Sequence, residues 1–149
     1  MSYVAVVGPG DATREQERLA EAVGRELGER DAIVVCGGLD GVMAAACRGA
    51  ARAGGLSVAL LPGNDRAAAN QWATIAIPTG LGELRNGLVV RAADAVVAVG
   101  GGHGTLSEIA LALKTGIKVI GLGTWDIAGV DPADDPGDAV KRALGQMSD

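Results

Sequence analysis

The sequence predicts an α/β fold, a three-layer Rossmann-like sandwich around a mainly parallel sheet of about six strands. Three observations carry this. Short apolar runs alternate with longer segments of helical periodicity. The turns between them contain glycine, of which the chain has 24 in 149 residues. The apolar residues are mostly Val, Leu, Ile and Ala, with no Phe and with Tyr3, Trp72 and Trp125 as the aromatics. Such a composition suits a parallel sheet covered on both faces by Ala-rich helices. The length suits one domain with a real core, so residues 1–149 are expected to form a single domain.

The elements follow in order. Tyr3–Val7 reads as a strand ended by Gly8-Pro9-Gly10. Ala12 to about Gly28 reads as a helix, with Leu19, Ala20, Val23 and Leu27 on one stripe. Ala32–Cys36 is the second strand, stopped by Gly37-Gly38, and Val42–Ala53 is a small-residue helix broken by Gly54-Gly55. Ser57–Leu61 is the third strand, Asn64–Trp72 a loop, and Thr74–Ile77 a fourth strand. Leu81–Ala92 reads as a helix and Asp94–Val99 as a strand. A helix over Thr105–Thr115 ends at Gly116, and Lys118–Leu122 is the sixth strand. Asp131–Gly137 reads as a Pro/Asp-rich linker before a short closing helix near Asp138–Gly145.

In an open parallel sheet, ligands collect at the carboxyl ends of the strands, where the strand order reverses. Three glycine-rich turns fall at such ends: Gly8-Pro9-Gly10, Gly37 to Gly41, and Gly100 to Gly104. Glycines let backbone N–H groups approach a ligand, and the helix that follows adds partial positive charge. A bare turn needs one or two glycines. The run Gly100-Gly101-Gly102-His103-Gly104 has four in five positions, which favours a phosphate cradle. The dinucleotide fingerprint is incomplete. Gly8 and Gly10 match its first two glycines, Thr13 takes the third place, and no acidic residue ends the second strand. A Gly-Lys-Ser/Thr phosphate loop is absent.

Single residues read two ways. Thr105-Leu106-Ser107-Glu108 has capping-box spacing, so Glu108 caps its helix or faces the ligand rim. Arg85 by itself reads as a solvated helix arginine, and His103 as a loop side chain. Cys36 and Cys47 read as buried thiols of a reducing compartment, and no metal-site spacing occurs. A net charge of −5 without a basic cluster, and few rings for base stacking, argue against nucleic acid. No apolar run reaches the roughly 20 residues of a membrane span. The N-terminal residues lack the basic flank of a signal peptide, so a cytoplasmic location is expected.

Arg85-Asn86, Ala93-Asp94-Ala95 and the run Gly100 to Glu108 together resemble the Lonely Guy (LOG)/SLOG superfamily, whose members carry PGGxGTxxE and an upstream Arg. Many of them have been mislabelled as lysine decarboxylases. Cys36-Gly37-Gly38-Leu39-Asp40-Gly41-Val42-Met43 resembles that family's GGGxxGLM turn. The resemblance spans roughly residues 3–122. It implies a ligand site of Gly8, Gly10, Gly37, Gly38, Gly41, Arg85, Asn86, Gly100, Gly101, Gly102, His103, Gly104, Thr105 and Glu108.

LOG enzymes hydrolyse the N-glycosidic bond of cytokinin riboside 5′-monophosphates. By resemblance, Glu108 then stabilises the oxocarbenium or positions water, and Arg85 binds phosphate or steers the leaving group. Gly100 replaces the motif's proline and Ser107 its first Glu, and the chain is short. It is therefore more similar to the branch of molybdenum-cofactor carriers, small homo-oligomers that bind a phosphorylated pterin without turning it over. The resemblance implies a bound nucleotide or molybdenum cofactor as ligand, no required cofactor, and a homodimer or homotetramer. Carrier or sensor is the leading expectation, and phosphoribohydrolase the alternative.

Overall fold

The computed structural model describes residues 1–146; the last three residues of the expected 1–149 domain lie outside the described residues. Seven strands form one parallel sheet: β1 (Tyr3–Val7), β2 (Ile33–Cys36), β3 (Ser57–Leu61), β4 (Ile75–Pro78), β5 (Ala95–Val99), β6 (Lys118–Leu122) and β7 (Val130–Pro132). Their order across the sheet is β4-β3-β2-β1-β5-β6-β7. The chain steps outward from β1 to β4, then returns to place β5 on the other side of β1. The strand order reverses between β1 and β5, where Val4 pairs with Ala95 and Val7 with Ala98.

Alternation along β1 sorts the layers. Val4 and Val6 join a core with α1 (Arg14–Glu29), α2 (Val42–Arg52) and α5 (Pro136–Ala143). Ala5 and Val7 face the opposite core, which α3 (Arg85–Arg91) and α4 (His103–Lys114) cover. With β1, β2 and β5 almost wholly apolar and buried, both faces are sealed. On the first face α1 and α2 pack backbone against backbone. A Cβ on Gly24 would stand 2.0 Å from the Ala46 carbonyl oxygen, and one on Gly49 2.0 Å from that of Glu21.

Three expectations need correction. The Asp131–Gly137 linker contains part of β7, a three-residue edge strand. Its brevity and its Pro132 hide it from pattern reading, and an edge is where proline is tolerated. The closing helix starts at Pro136, because Asp135 caps it through the Asp138 N–H and proline suits its first position. The segment from Leu81 is a short 3-10 turn over Gly82–Leu84 before α3 begins at Arg85. Among the described residues no helix is long and apolar enough to cross a membrane.

Candidate functional site

The carboxyl edge of the sheet carries a polar cavity of about 200 Å³ at the β1–β5 switch point. The turn after β1 forms one wall through Gly8, Pro9 and Gly10. That turn lies so close to its neighbours that a Cβ on Gly8 would meet the Val99 carbonyl oxygen at 2.4 Å and the Val42 methyls at 2.7 Å. Gly37 and Met43 close a second side. The start of α4 supplies Gly102, Gly104, Thr105 and Glu108, and α3 supplies Arg85 and Asn86.

The remaining expected residues do not line the cavity. Gly38 and Gly41 shape the turn after β2, where both have positive φ. Gly100 leaves room for Gln16, whose Nε2 would lie 2.6 Å from a Cβ there. Gly101 adjoins the Trp125 indole. His103 is the exposed first residue of α4 and does not line the cavity. Pattern reading missed Met43, Trp125 and Asn70. Asn70 donates from its backbone N–H (2.9 Å) and its side-chain amide (3.3 Å) to the Gly38 carbonyl, and from the amide to the Leu39 carbonyl at 3.2 Å. It pins the Gly37–Gly41 turn from a loop that shows no periodicity.

The capping-box reading of Glu108 is overturned. α4 begins at His103 with Gly102 as its N-cap, φ 126°, and no side chain caps it. Thr105 is then the third residue of the helix, and Glu108 lies in its second turn. The capping box of this protein is at α1 instead, where Thr13 and Gln16 satisfy each other's backbone N–H. The first N–H groups of α4 therefore have no side-chain acceptor, and this helix end borders the cavity.

Arg85 is not a solvated arginine. It is 8% exposed. It donates to the Asn86 side-chain oxygen and, through Nη2, to the Gly37 carbonyl at 3.4 Å. Its buried Nε has no hydrogen-bond partner. Glu108 is equally buried, and desolvation pushes its pKa from 4.5 up to about 7, while the Arg85 charge pulls the other way. No ion pair joins the two among the described residues. The cavity thus combines a buried cation with a spare donor, an uncapped helix N-terminus and a carboxyl group that titrates near neutrality. Such a set is chemically suited to an anion, with a proton held beside it.

Behind the same turn, Cys36 and Cys47 are buried, unbridged thiols with sulfurs 3.4 Å apart. The contact between the two thiols lowers the Cys47 pKa, and the same contact, with burial, drives that of Cys36 up. Among the described residues no group of three His, Cys, Asp or Glu side chains is placed to hold a metal ion.

A Rossmann-like three-layer sandwich with a polar cavity at its switch point is the architecture of the SLOG fold. The chain belongs to the SLOG cluster4 family, whose family model matches residues 1–143. Its structure is similar to that of the molybdenum cofactor binding protein from Rippkaea orientalis. The TM-score is 0.92 and the identity 34%, over 97% of this chain and 96% of the other. The molybdenum cofactor carrier protein of Chlamydomonas reinhardtii matches with a TM-score of 0.88 and 34% identity, covering 97% of this chain and 99% of its own. An uncharacterized protein of Archaeoglobus fulgidus is 44% identical over 122 residues, 82% of this chain and 80% of that protein. Similarity to these two molybdenum-cofactor proteins supports ligand binding within the SLOG family.

Proposed function

We propose that this chain binds a phosphorylated nucleotide- or pterin-like molecule and carries or senses it, with the molybdenum cofactor as one such cargo. The observation that carries the reading is Arg85, a buried guanidinium with an unpartnered Nε in a polar cavity. An unpaired buried cation is costly, and an anionic ligand group offsets that cost. The phosphate lies at the N-terminus of α4, with Gly102, Gly104 and Thr105 around it and Asn86 fixing Arg85. Gly8, Gly10 and Gly37, with Pro9 and Met43, form the opposite walls. Similarity to two molybdenum-cofactor proteins supports the same ligand class.

The test is thermal unfolding with inorganic phosphate and with nucleoside 5′-monophosphates. A ligand at 100 times its Kd stabilises the native state by about 2.7 kcal/mol. A rise in Tm that disappears in Arg85→Met supports the proposal. No rise with any phosphorylated compound overturns it.

One observation favours a second reading, phosphoribohydrolase activity. Glu108 is a carboxyl group poised near neutrality in the same cavity, and glycoside cleavage needs carboxylates beside the sugar. Release of free base from nucleoside 5′-monophosphates that vanishes in Glu108→Gln establishes turnover. The lone carboxyl group in this lining favours binding over hydrolysis.

We further propose that the single domain acts as a homodimer or homotetramer. Ile75 and Ile77 on β4, Leu81 and Leu84 at the turn before α3, and Leu88 on α3 are exposed apolar residues that a second copy covers. Sedimentation as a monomer contradicts this.

A further inference from the structure

Beyond the glycine run lies a second cavity, of about 240 Å³, at the carboxyl ends of β6 and β7. It is smaller than the roughly 300–1,000 Å³ of a site for a whole drug-sized ligand, so it suits one ring system. Its floor is apolar, with Gly121, Ile127 and Val130. Its polar groups are few and distinct. The Thr124 hydroxyl is buried and has no hydrogen-bond partner. Asp126 lines the cavity and is exposed. Trp125 lines it too, and its indole N–H donates to the Gly102 carbonyl at 3.1 Å. That bond holds a surface ring in place, and Gly102 lines the first cavity. The two cavities therefore share the Gly102–Trp125 wall.

We infer that the second cavity is the ring subsite of the ligand and takes a planar heterocycle with an N–H and an adjacent amino group on one edge, the pattern of guanine and of pterins. The Asp126 carboxylate accepts both of those hydrogen bonds side by side. The Thr124 hydroxyl bonds a ring nitrogen or carbonyl oxygen and gains the partner it lacks. Trp125 gives the ring an aromatic contact. Adenine fits poorly, because its one amino group sits beside an acceptor nitrogen that repels the carboxylate. This inference rests on the proposed function for the ligand's anionic end and adds the ring and its location.

The test uses Trp72→Phe, in which Trp125 is the one tryptophan left. Its fluorescence is followed in titrations with guanosine, inosine and adenosine 5′-monophosphates. Inosine differs from guanosine by the missing amino group. The expected result is binding of the guanine nucleotide about tenfold tighter than of the other two, the order of one hydrogen bond to a charged group. Asp126→Asn, at an exposed position, abolishes the preference, and Thr124→Val weakens binding of the guanine nucleotide. Equal affinities for the three, or a preference that survives Asp126→Asn, overturns the inference. Thermal shifts with inorganic phosphate read the first cavity separately. If phosphate stabilises the protein and no ring preference exists, the ring subsite alone is wrong. If phosphate has no effect and guanosine still changes Trp125 emission through Asp126, the anion site is wrong and the ring subsite stands.

Discussion

Replacing Glu108 by Gln tests the electrostatics of the cavity without a ligand. The carboxyl group is 8% exposed, and its pKa rises from 4.5 to about 7 through desolvation, despite the attraction of Arg85. At about 1.4 kcal/mol per pH unit, this displacement corresponds to about 3 kcal/mol. Between pH 4.5 and 7 the folded chain keeps a proton that the unfolded chain has released. Stability from this group is fully present below pH 4.5 and is lost as pH rises through 7. Glu108→Gln has no such proton, so it is expected to gain on the wild type as pH rises. For a chain of this length, about 3 kcal/mol corresponds to a relative Tm gain of about 6–12 °C across the window. The assay is thermal unfolding of both proteins by circular dichroism from pH 4.5 to 8. Glu21 and Asp138, held below their ordinary values by arginines, shift stability in the opposite sense, but they are common to both proteins and cancel in the difference. A difference that stays flat across this range would refute the reasoning, and one of opposite slope would show an ion pair with Arg85.

Three further outcomes follow from the same geometry. Sulfate remains a dianion from pH 6 to 8, so its affinity reads the protein alone. It is expected to fall about three- to tenfold over this range as Glu108 ionises, and to stay level in Glu108→Gln, measured by calorimetry. Arg85→Met removes the buried cation and is expected to lower phosphate affinity at least tenfold, about the worth of one charge-assisted hydrogen bond, while circular dichroism shows the fold retained. Gly49→Ala drives a Cβ to 2.0 Å from the Glu21 carbonyl oxygen and forces α1 off α2; a loss of about 1–3 kcal/mol in urea unfolding is expected.

Much of the architecture was legible because its causes are local. Apolar runs ended by glycine mark β1, β2, β3, β5 and β6 within a residue or two. β7 was not legible, since three residues with a proline carry no periodicity. Helix starts were the weak point at α4. Thr105 and Glu108 have capping-box spacing, yet Gly102 reaches φ 126° and starts the helix at His103, a conformation the pattern does not encode. The pairing of Gly24 and Gly49 with facing carbonyl oxygens was equally hidden, because contacts between helices depend on how two faces meet.

The sequence alone determined the layered parallel fold and the three glycine turns that gather at one rim. Both follow from residue order, through hydrophobic period and the steric freedom of glycine. Tertiary structure decided which side chains line that rim and how deeply they are buried. Arg85, read singly as a solvated helix residue, is buried beside the Gly37 carbonyl because α3 packs under the carboxyl edge. Glu108 reads equally as a cap or a site residue, and it lines the cavity because α4 begins two residues earlier. Charge state and spare hydrogen-bonding capacity depend on burial, and burial is set by neighbours distant in the chain.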